Sequence, residues 1–282
     1  VKDIQKSYPV SEDEGEEDNT YLSYNMVVGE AADINLSLAF EVLDYALLSA
    51  PGAPLKQALL DAKIGKDIYG SFEDGIKQTY FSIVAKGANL SQKEEFVKVI
   101  RDTLTKIMEE GIDKKAVTAG INYYEFRFRE ADFSSYPKGL MYGLDILSSW
   151  LYDDTKPFCE VQLLEGFEFL KKALEEGYFE DLIRKYLLDN THGAILSLVP
   201  EKGLAAKRDK ELEEKLENYR KSLSDEELTR MVENTKALEA YQESEEDPET
   251  LTCIPMLSRE DIKKEILSLI HISEPTRQAE IS

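Results

Sequence analysis

Hydrolytic chemistry needs a nucleophile, or an activated water, with a base placed to take its proton, so the scarce reactive residue types carry the first information. The chain holds two histidines, His192 and His271, and two cysteines, Cys159 and Cys253. His192 opens the apolar run THGAILSLV and reads as a structural imidazole rather than a ligand or base. His271 lies in a tail set aside below. A zinc centre takes three protein ligands and an open position, or four ligands, and one histidine with two distant cysteines does not supply them. Ser7, Ser23 and Ser82 lack a GxSxG elbow or any other activating context. The acid pairs Glu94-Glu95 and Glu175-Glu176 are helix neighbours that point to different faces, which does not suit a two-carboxylate mechanism. Gly65, Gly70 and Gly75 do not have phosphate-loop spacing, and the acidic run Ser11 to Asn19 lacks the ligand rhythm of a calcium loop. The expectation is no catalytic residue and no metal ligand in this chain.

Composition narrows the function classes further. The chain has 282 residues, 42% of them apolar, enough for one large domain or two small ones with a real core. Asp and Glu total 56 against 34 Lys plus Arg, a net charge of -22, which argues against contact with nucleic acid or an anionic membrane surface. The two cysteines are expected to be free thiols in a reducing compartment. The longest apolar stretch, Ile34 to Ala50, is interrupted by Glu41 and Asp44 and is too short to span a bilayer. A cytoplasmic protein is the expectation.

The elements that would position any site follow from periodicity. Alternation predicts strands over Thr20 to Val28, Gln78 to Ala85 and Thr191 to Val199. Helical spacing predicts a helix from Asp33, stopped by Pro51-Gly52-Ala53-Pro54, then a short one over Leu55 to Ala62. Ser91 with Glu94 predicts a capped helix ending at Gly111, and Asp113 starts another whose Tyr123, Tyr124, Phe126 and Phe128 read as packing residues. Tyr136 to Tyr152 and Val161 to Leu188 read as further helices. Beyond Pro200, Leu204 to Leu223 and Glu226 to Tyr241 are charge-rich helices predicted to form an antiparallel hairpin. The fold class expected is α+β: an antiparallel sheet packed with several helices, followed by a charged helical hairpin.

The organisation expected is a domain over 1–200, the hairpin over 201–242 and a linker over 243–266. Residues 267–282 begin LSLIHISEPTR, which resembles the in-frame translation of a sequencing adaptor. With no starting Met, the chain reads as an internal piece of a longer protein.

Five stretches together resemble one family. They are YPVSEDEGEEDNTYLSYNMVVGE (Tyr8 to Glu30), DYALLSAPGAPLKQALLDAKIGKDIYGSF (Asp44 to Phe72), NYYEFRFREADFSSYPKGLMYGLDILSSWLYDD (Asn122 to Asp154), DNTHGAILSLVPEKGLAAKRD (Asp189 to Asp209) and KALEAYQESEEDPETLTCIPMLSREDI (Lys236 to Ile262). In this order they resemble the presequence-protease subfamily of the pitrilysin/insulinase-like zinc metallopeptidases. The resemblance implies a parent of four related α+β domains closing around a peptide chamber. This piece would be the second, non-catalytic domain with the hairpin that joins the two halves. It also implies zinc held in the first domain by an inverted His-x-x-Glu-His helix and a downstream Glu. No position here matches either element, so zinc is expected in the parent and not in this chain. The partners implied are peptide substrates and the sister domains. Strand position marks Tyr24, Tyr80 and Phe81 as chamber-wall residues. A non-catalytic scaffold or partner-binding homologue is the alternative, and a free-standing helical interaction module a third reading; the parent's compartment is bacterial cytoplasm or an organellar matrix.

Overall fold

The computed structural model describes residues 1–261 apart from Asp132, Pro255 and Leu257. The adaptor-like tail and His271 lie outside the described residues. Two compact units divide at Leu212 and Glu213 and are taken separately.

The first unit opens with β1 (Lys2–Val10) and β2 (Thr20–Val27), followed by α1 (Ile34–Asp44), whose end widens into a π turn over Tyr45–Ser49. Then come α2 (Pro54–Asp61), β3 (Asp67–Glu73), β4 (Tyr80–Ala88), α3 (Lys93–Glu110), α4 (Lys114–Glu130) and α5 (Lys138–Trp150). A 3-10 turn over Cys159–Val161 leads into α6 (Leu164–Ala173), α7 (Tyr178–Leu182) with a π turn over Ile183–Leu188, β5 (Gly193–Lys202) and the start of α8 (Leu204–Ser222). The strand order is β1-β5-β2-β4-β3. Pairing is antiparallel from β5 through β2 and β4 to β3, and β1 joins β5 as a parallel edge.

The three predicted strands are β2, β4 and β5, and two further strands flank them. β1 carries charges at every second or third position and Pro9, a pattern tolerated at an edge where one row of backbone groups has no strand partner. β3 is broken in the sequence by Gly70, which reads as a turn residue; in the fold a Cβ there would run into the Asp44 carboxylate and Leu48, so glycine is required by helix-to-sheet contact.

One face of the sheet is sealed by helices. Leu22, Tyr24 and Met26 of β2 alternate inward, as do Phe81, Ile83 and Ala85 of β4, all 0–2% exposed. Phe40 of α1 stacks against them, with ring centroids 5.7 Å from Phe81 and 5.8 Å from Phe72. Asp33 caps α1 by accepting from the Leu36 amide at 3.2 Å, and Asp113 caps α4, both as read from the sequence. The cap before α3 differs: Asn89, not Ser91, closes a box with Gln92 around a 3-10 turn. Of the four aromatics of α4, Tyr124 and Phe128 pack inward while Tyr123 and Phe126 are exposed. The left-handed Gly177 (φ +79°) separates α6 from α7.

The second unit holds the rest of α8, then α9 (Asp225–Glu243) and a short α10 (Pro248–Leu251). Ser224 and Glu227 form a reciprocal capping box at the start of α9. Leu216, Tyr219, Met231, Val232 and Leu238 are all exposed, so the apolar seam of these helices is uncovered. No helix among the described residues is long and apolar enough to cross a membrane.

Adjacent residues of β4 test the assignment of the two sheet faces. Phe81→Ala is expected to cost about 3–5 kcal/mol, as a fully buried aromatic leaves a cavity, whereas Tyr80→Ala costs about 1 kcal/mol; chemical denaturation of the two variants measures both.

Candidate functional site

The second face of the sheet is turned away from the helix layer. Alternation places Tyr21, Ser23, Asn25 and Val27 of β2 on it, with Tyr80, Ser82 and Val84 of β4 and Ala194, Leu196 and Leu198 of β5 opposite them. Tyr21, Val27, Tyr80, Val84, Leu196 and Leu198 are half-buried, which leaves a broad, partly apolar sheet surface.

At its centre the polar groups satisfy one another. Asn25 Oδ1 accepts from Ser82 Oγ at 2.6 Å and from Ser23 Oγ at 2.9 Å, and Asn25 Nδ2 donates to the Ala194 carbonyl at 3.2 Å. Both hydroxyls are buried, so the amide directs its hydrogen bonds to the sheet itself and ties β2, β4 and β5 together. Toward the β2–β5 end this surface deepens into a depression of about 1000 Å³ lined by Asn25, Val27, Glu30, Lys77, Tyr80 and His192.

Of the three residues marked from strand position, Tyr80 alone faces this side. Tyr24 and Phe81, 2% and 0% exposed, belong to the opposite, helix-covered face. The Tyr24 hydroxyl donates to the Leu187 carbonyl at 2.8 Å, and burial pushes its pKa up, so it is a packing residue with a satisfied polar tip. Sequence alternation separates Tyr21, Ser23, Asn25 and Val27 from Leu22, Tyr24 and Met26, but with apolar and aromatic residues on both faces it does not say which is covered. The signal that could have found Asn25 is a lone amide opposite a serine in the middle of a sheet.

His192 stands exposed on the rim of the depression, and its imidazole has no hydrogen bond among the described residues, so it is not the satisfied core histidine that its apolar context suggested. Cys159 and Cys253 are free thiols, with Cys159 Sγ 3.1 Å from Ser149 Oγ. No three His, Cys, Asp or Glu side chains converge to hold a metal ion among the described residues. The donor set does not fit zinc: a single rim histidine has no second ligand near it.

Comparison with known proteins places the chain. The family description "Peptidase M16 inactive domain" matches residues 1–124, and the description of the associated segment found in subfamily C of the same peptidases matches residues 198–281. Protein HypA of Clostridium perfringens is 42% identical over 281 residues, covering 100% of this chain and 28% of that protein. Presequence protease 1, chloroplastic/mitochondrial, of Arabidopsis thaliana is 33% identical over 268 residues, covering 93% of this chain and 25% of that protein. The chain thus spans about a quarter of the length of these relatives. In fold it is similar to the inactive peptidase domain of a proposed zinc protease of Bordetella parapertussis, with a TM-score of 0.50 and 11% identity over 65% of this chain and 91% of that one. With its inactive-domain segment followed by the subfamily-associated one, the chain belongs to the M16 peptidase family as a fragment related to the presequence proteases.

Proposed function

We propose that this chain is a non-catalytic wall and hinge of a larger zinc endopeptidase that degrades short, unstructured peptides inside a closed chamber. The observation that carries this reading is the helix-free face of the sheet: a broad, partly apolar surface whose polar groups are already paired, so that it can face an extended peptide without an unpaired donor of its own. Tyr80 at the edge of the depression offers an aromatic contact, and the amide of Asn25 holds the surface rigid. Zinc and the catalytic base belong to sequence outside this chain, because the donor set here does not fit the metal. The net charge of -22 favours basic peptides such as targeting sequences, by raising their concentration near the protein. The charged helices α8 and α9 supply the connection between halves, and their uncovered apolar seam suits packing on sister domains.

Purified chain, alone and extended with its upstream sequence, is to be assayed on a short basic peptide together with zinc content by elemental analysis. The chain alone is expected to hold no stoichiometric zinc and to give no turnover; the extended protein cleaves, and a chelator stops it. In that protein Tyr80→Ala is expected to raise KM roughly tenfold with kcat little changed, the mark of a uniform binding contact. Chelator-sensitive cleavage by the chain alone overturns the reading, while an extended protein without zinc or cleavage favours the scaffold alternative.

A further inference from the structure

On the helix side of the first unit, away from the open sheet face, lies a cavity of about 300 Å³ with an unusual charge content. Glu41 of α1, Asp74 just after β3, Asp145 of α5 and Glu160 of the 3-10 turn all line it, between the rings of Phe128, Tyr142 and Phe167. None of the four forms an ion pair among the described residues. The one cation on the cavity among the described residues, Arg127, is exposed at its rim, where its guanidinium lies 5.7 Å from the Tyr123 ring and donates to the Tyr123 hydroxyl at 3.4 Å. By contrast, Glu125 on the neighbouring side of α4 is held by Arg129 at 2.6 Å and Lys171 at 2.7 Å.

Glu41 sits at the bottom of the cavity, deep among protein atoms, and its carboxylate touches the cavity space with no hydrogen-bond partner among the described residues. Burial, then the charges of Asp74 and Glu160, raise its pKa from 4.5 to about 8; burial, then Asp74 and Asp145, raise Glu160 to about 7. Asp74 and Asp145 are raised as well, first by burial. A cavity that gathers four carboxylates without counter-charge is unfavourable as it stands and becomes favourable around a cation. The carboxylates are spread around the walls rather than converging as metal ligands do, so the cation they fit is larger than a metal ion. Carboxylates beside aromatic rings suit a guanidinium or ammonium group, through charge-assisted hydrogen bonds and cation–π contact. What would carry that group is written on α5: beside Tyr142 and Asp145, which line the cavity, Leu140, Leu144 and Leu147 form an exposed stripe, 53%, 51% and 42% accessible. An apolar stripe next to an acidic pocket calls for a polypeptide with apolar residues and one basic side chain.

We propose that this cavity is the receptor for an arginine or lysine side chain from a segment of the longer protein outside this chain, a segment that also covers the leucine stripe of α5. The chain's span of about a quarter of its relatives' length leaves ample polypeptide to supply it. The proposal rests on the chain being part of a longer protein and not on what that protein cleaves.

Agmatine, which carries both a guanidinium and an ammonium group, is the probe. Its binding to the 282-residue chain is to be followed by calorimetry and by thermal shift at matched ionic strength, beside neutral N-butylurea. Agmatine is expected to bind saturably and raise Tm, N-butylurea to do neither, and the double variant Glu41→Gln, Glu160→Gln to bind agmatine at least tenfold more weakly. In the protein with its flanking sequence the pocket is filled from within, and agmatine binding is lost. A second reading comes from pH. Glu41 faces Asp74 and Glu160 across the cavity, Asp44 from its own helix, and Arg127 and Tyr124 from α4. Because the folded pKa values of Glu41 and Glu160 lie above the unfolded ones, the folded state holds more protons between about pH 4.5 and 8, and stability is lost as pH rises through that window. Agmatine or Glu41→Gln is expected to flatten that loss. Binding that is absent, or unchanged in the double variant, overturns the pocket; equal agmatine binding in the longer protein overturns the assignment of its occupant to the same polypeptide.

Discussion

The structure depends on the near-complete burial of α1. Leu36, Leu38, Ala39, Phe40, Val42 and Leu43 are all 0–5% exposed, so this helix meets the sheet on one side and α4 and α6 on the other. A helix apolar on nearly every side must lie inside its domain, and the layers above and below it are fixed by that demand. Phe40 reaches Phe72, Phe81 and Tyr186 at once, which locks β3, β4 and the turn before β5 to one side chain. Gly70 completes the fit by removing the Cβ that would hold α1 off the sheet. Such burial has a cost in charge. Two acids ride on the same helix, and neither can reach bulk water freely: Asp44 keeps one buried oxygen without a hydrogen bond, with Ser49 donating to the other at 3.2 Å, and Glu41 is carried to the floor of the acidic cavity.

The sheet divides the unit into two unlike sides. On the helix side, apolar burial leaves carboxylates as the anomaly; on the other, Asn25 absorbs two hydroxyls and a carbonyl and leaves the surface electrically quiet. A surface with no unpaired buried donors can meet an extended chain of varied sequence without penalising any one side chain, which suits a wall better than a specific reader. A cavity with unpaired charge does the opposite and selects one kind of group. The two sides are therefore fitted to different tasks.

Much of this architecture was legible in the sequence where local and tertiary preferences agree. β2, β4 and β5 are central or well-paired strands with aromatic and β-branched residues, and α1, α3 and α4 carry long stripes, with caps at Asp33 and Asp113 for α1 and α4. β1 and β3 escaped because edge strands need not alternate and because Gly70 answers to a helix elsewhere in the chain, which no local pattern records. Tyr24 and Phe81 were misplaced for a related reason: a two-faced strand does not announce which face a helix will cover. The acidic cavity was wholly illegible. Glu41, Asp74, Asp145 and Glu160 are scattered over more than a hundred positions, and inspection of neighbouring acids such as Glu94 and Glu95 could not find a cluster made by packing.

Charge separates what is general here from what is specific. An excess of 56 acids over 34 basic residues surrounds the chain with a repulsive field, and most of those acids are solvated, screened and individually worth little. The same sign of charge inside the cavity cannot be screened by salt, and the repulsion there persists until a cation enters or a proton binds. A buried network of this kind is retained against its cost when some part of the assembled molecule neutralises it. The exposed leucines of α5 lead to the same conclusion from apolar surface alone, and so do Leu216, Tyr219, Met231 and Val232 in the second unit: each leaves uncovered what an isolated domain would bury. Two independent features, unpaired charge and uncovered apolar area, thus mark the first unit on adjoining residues of one helix, and an interface satisfies both at once where a small ligand would satisfy only the first.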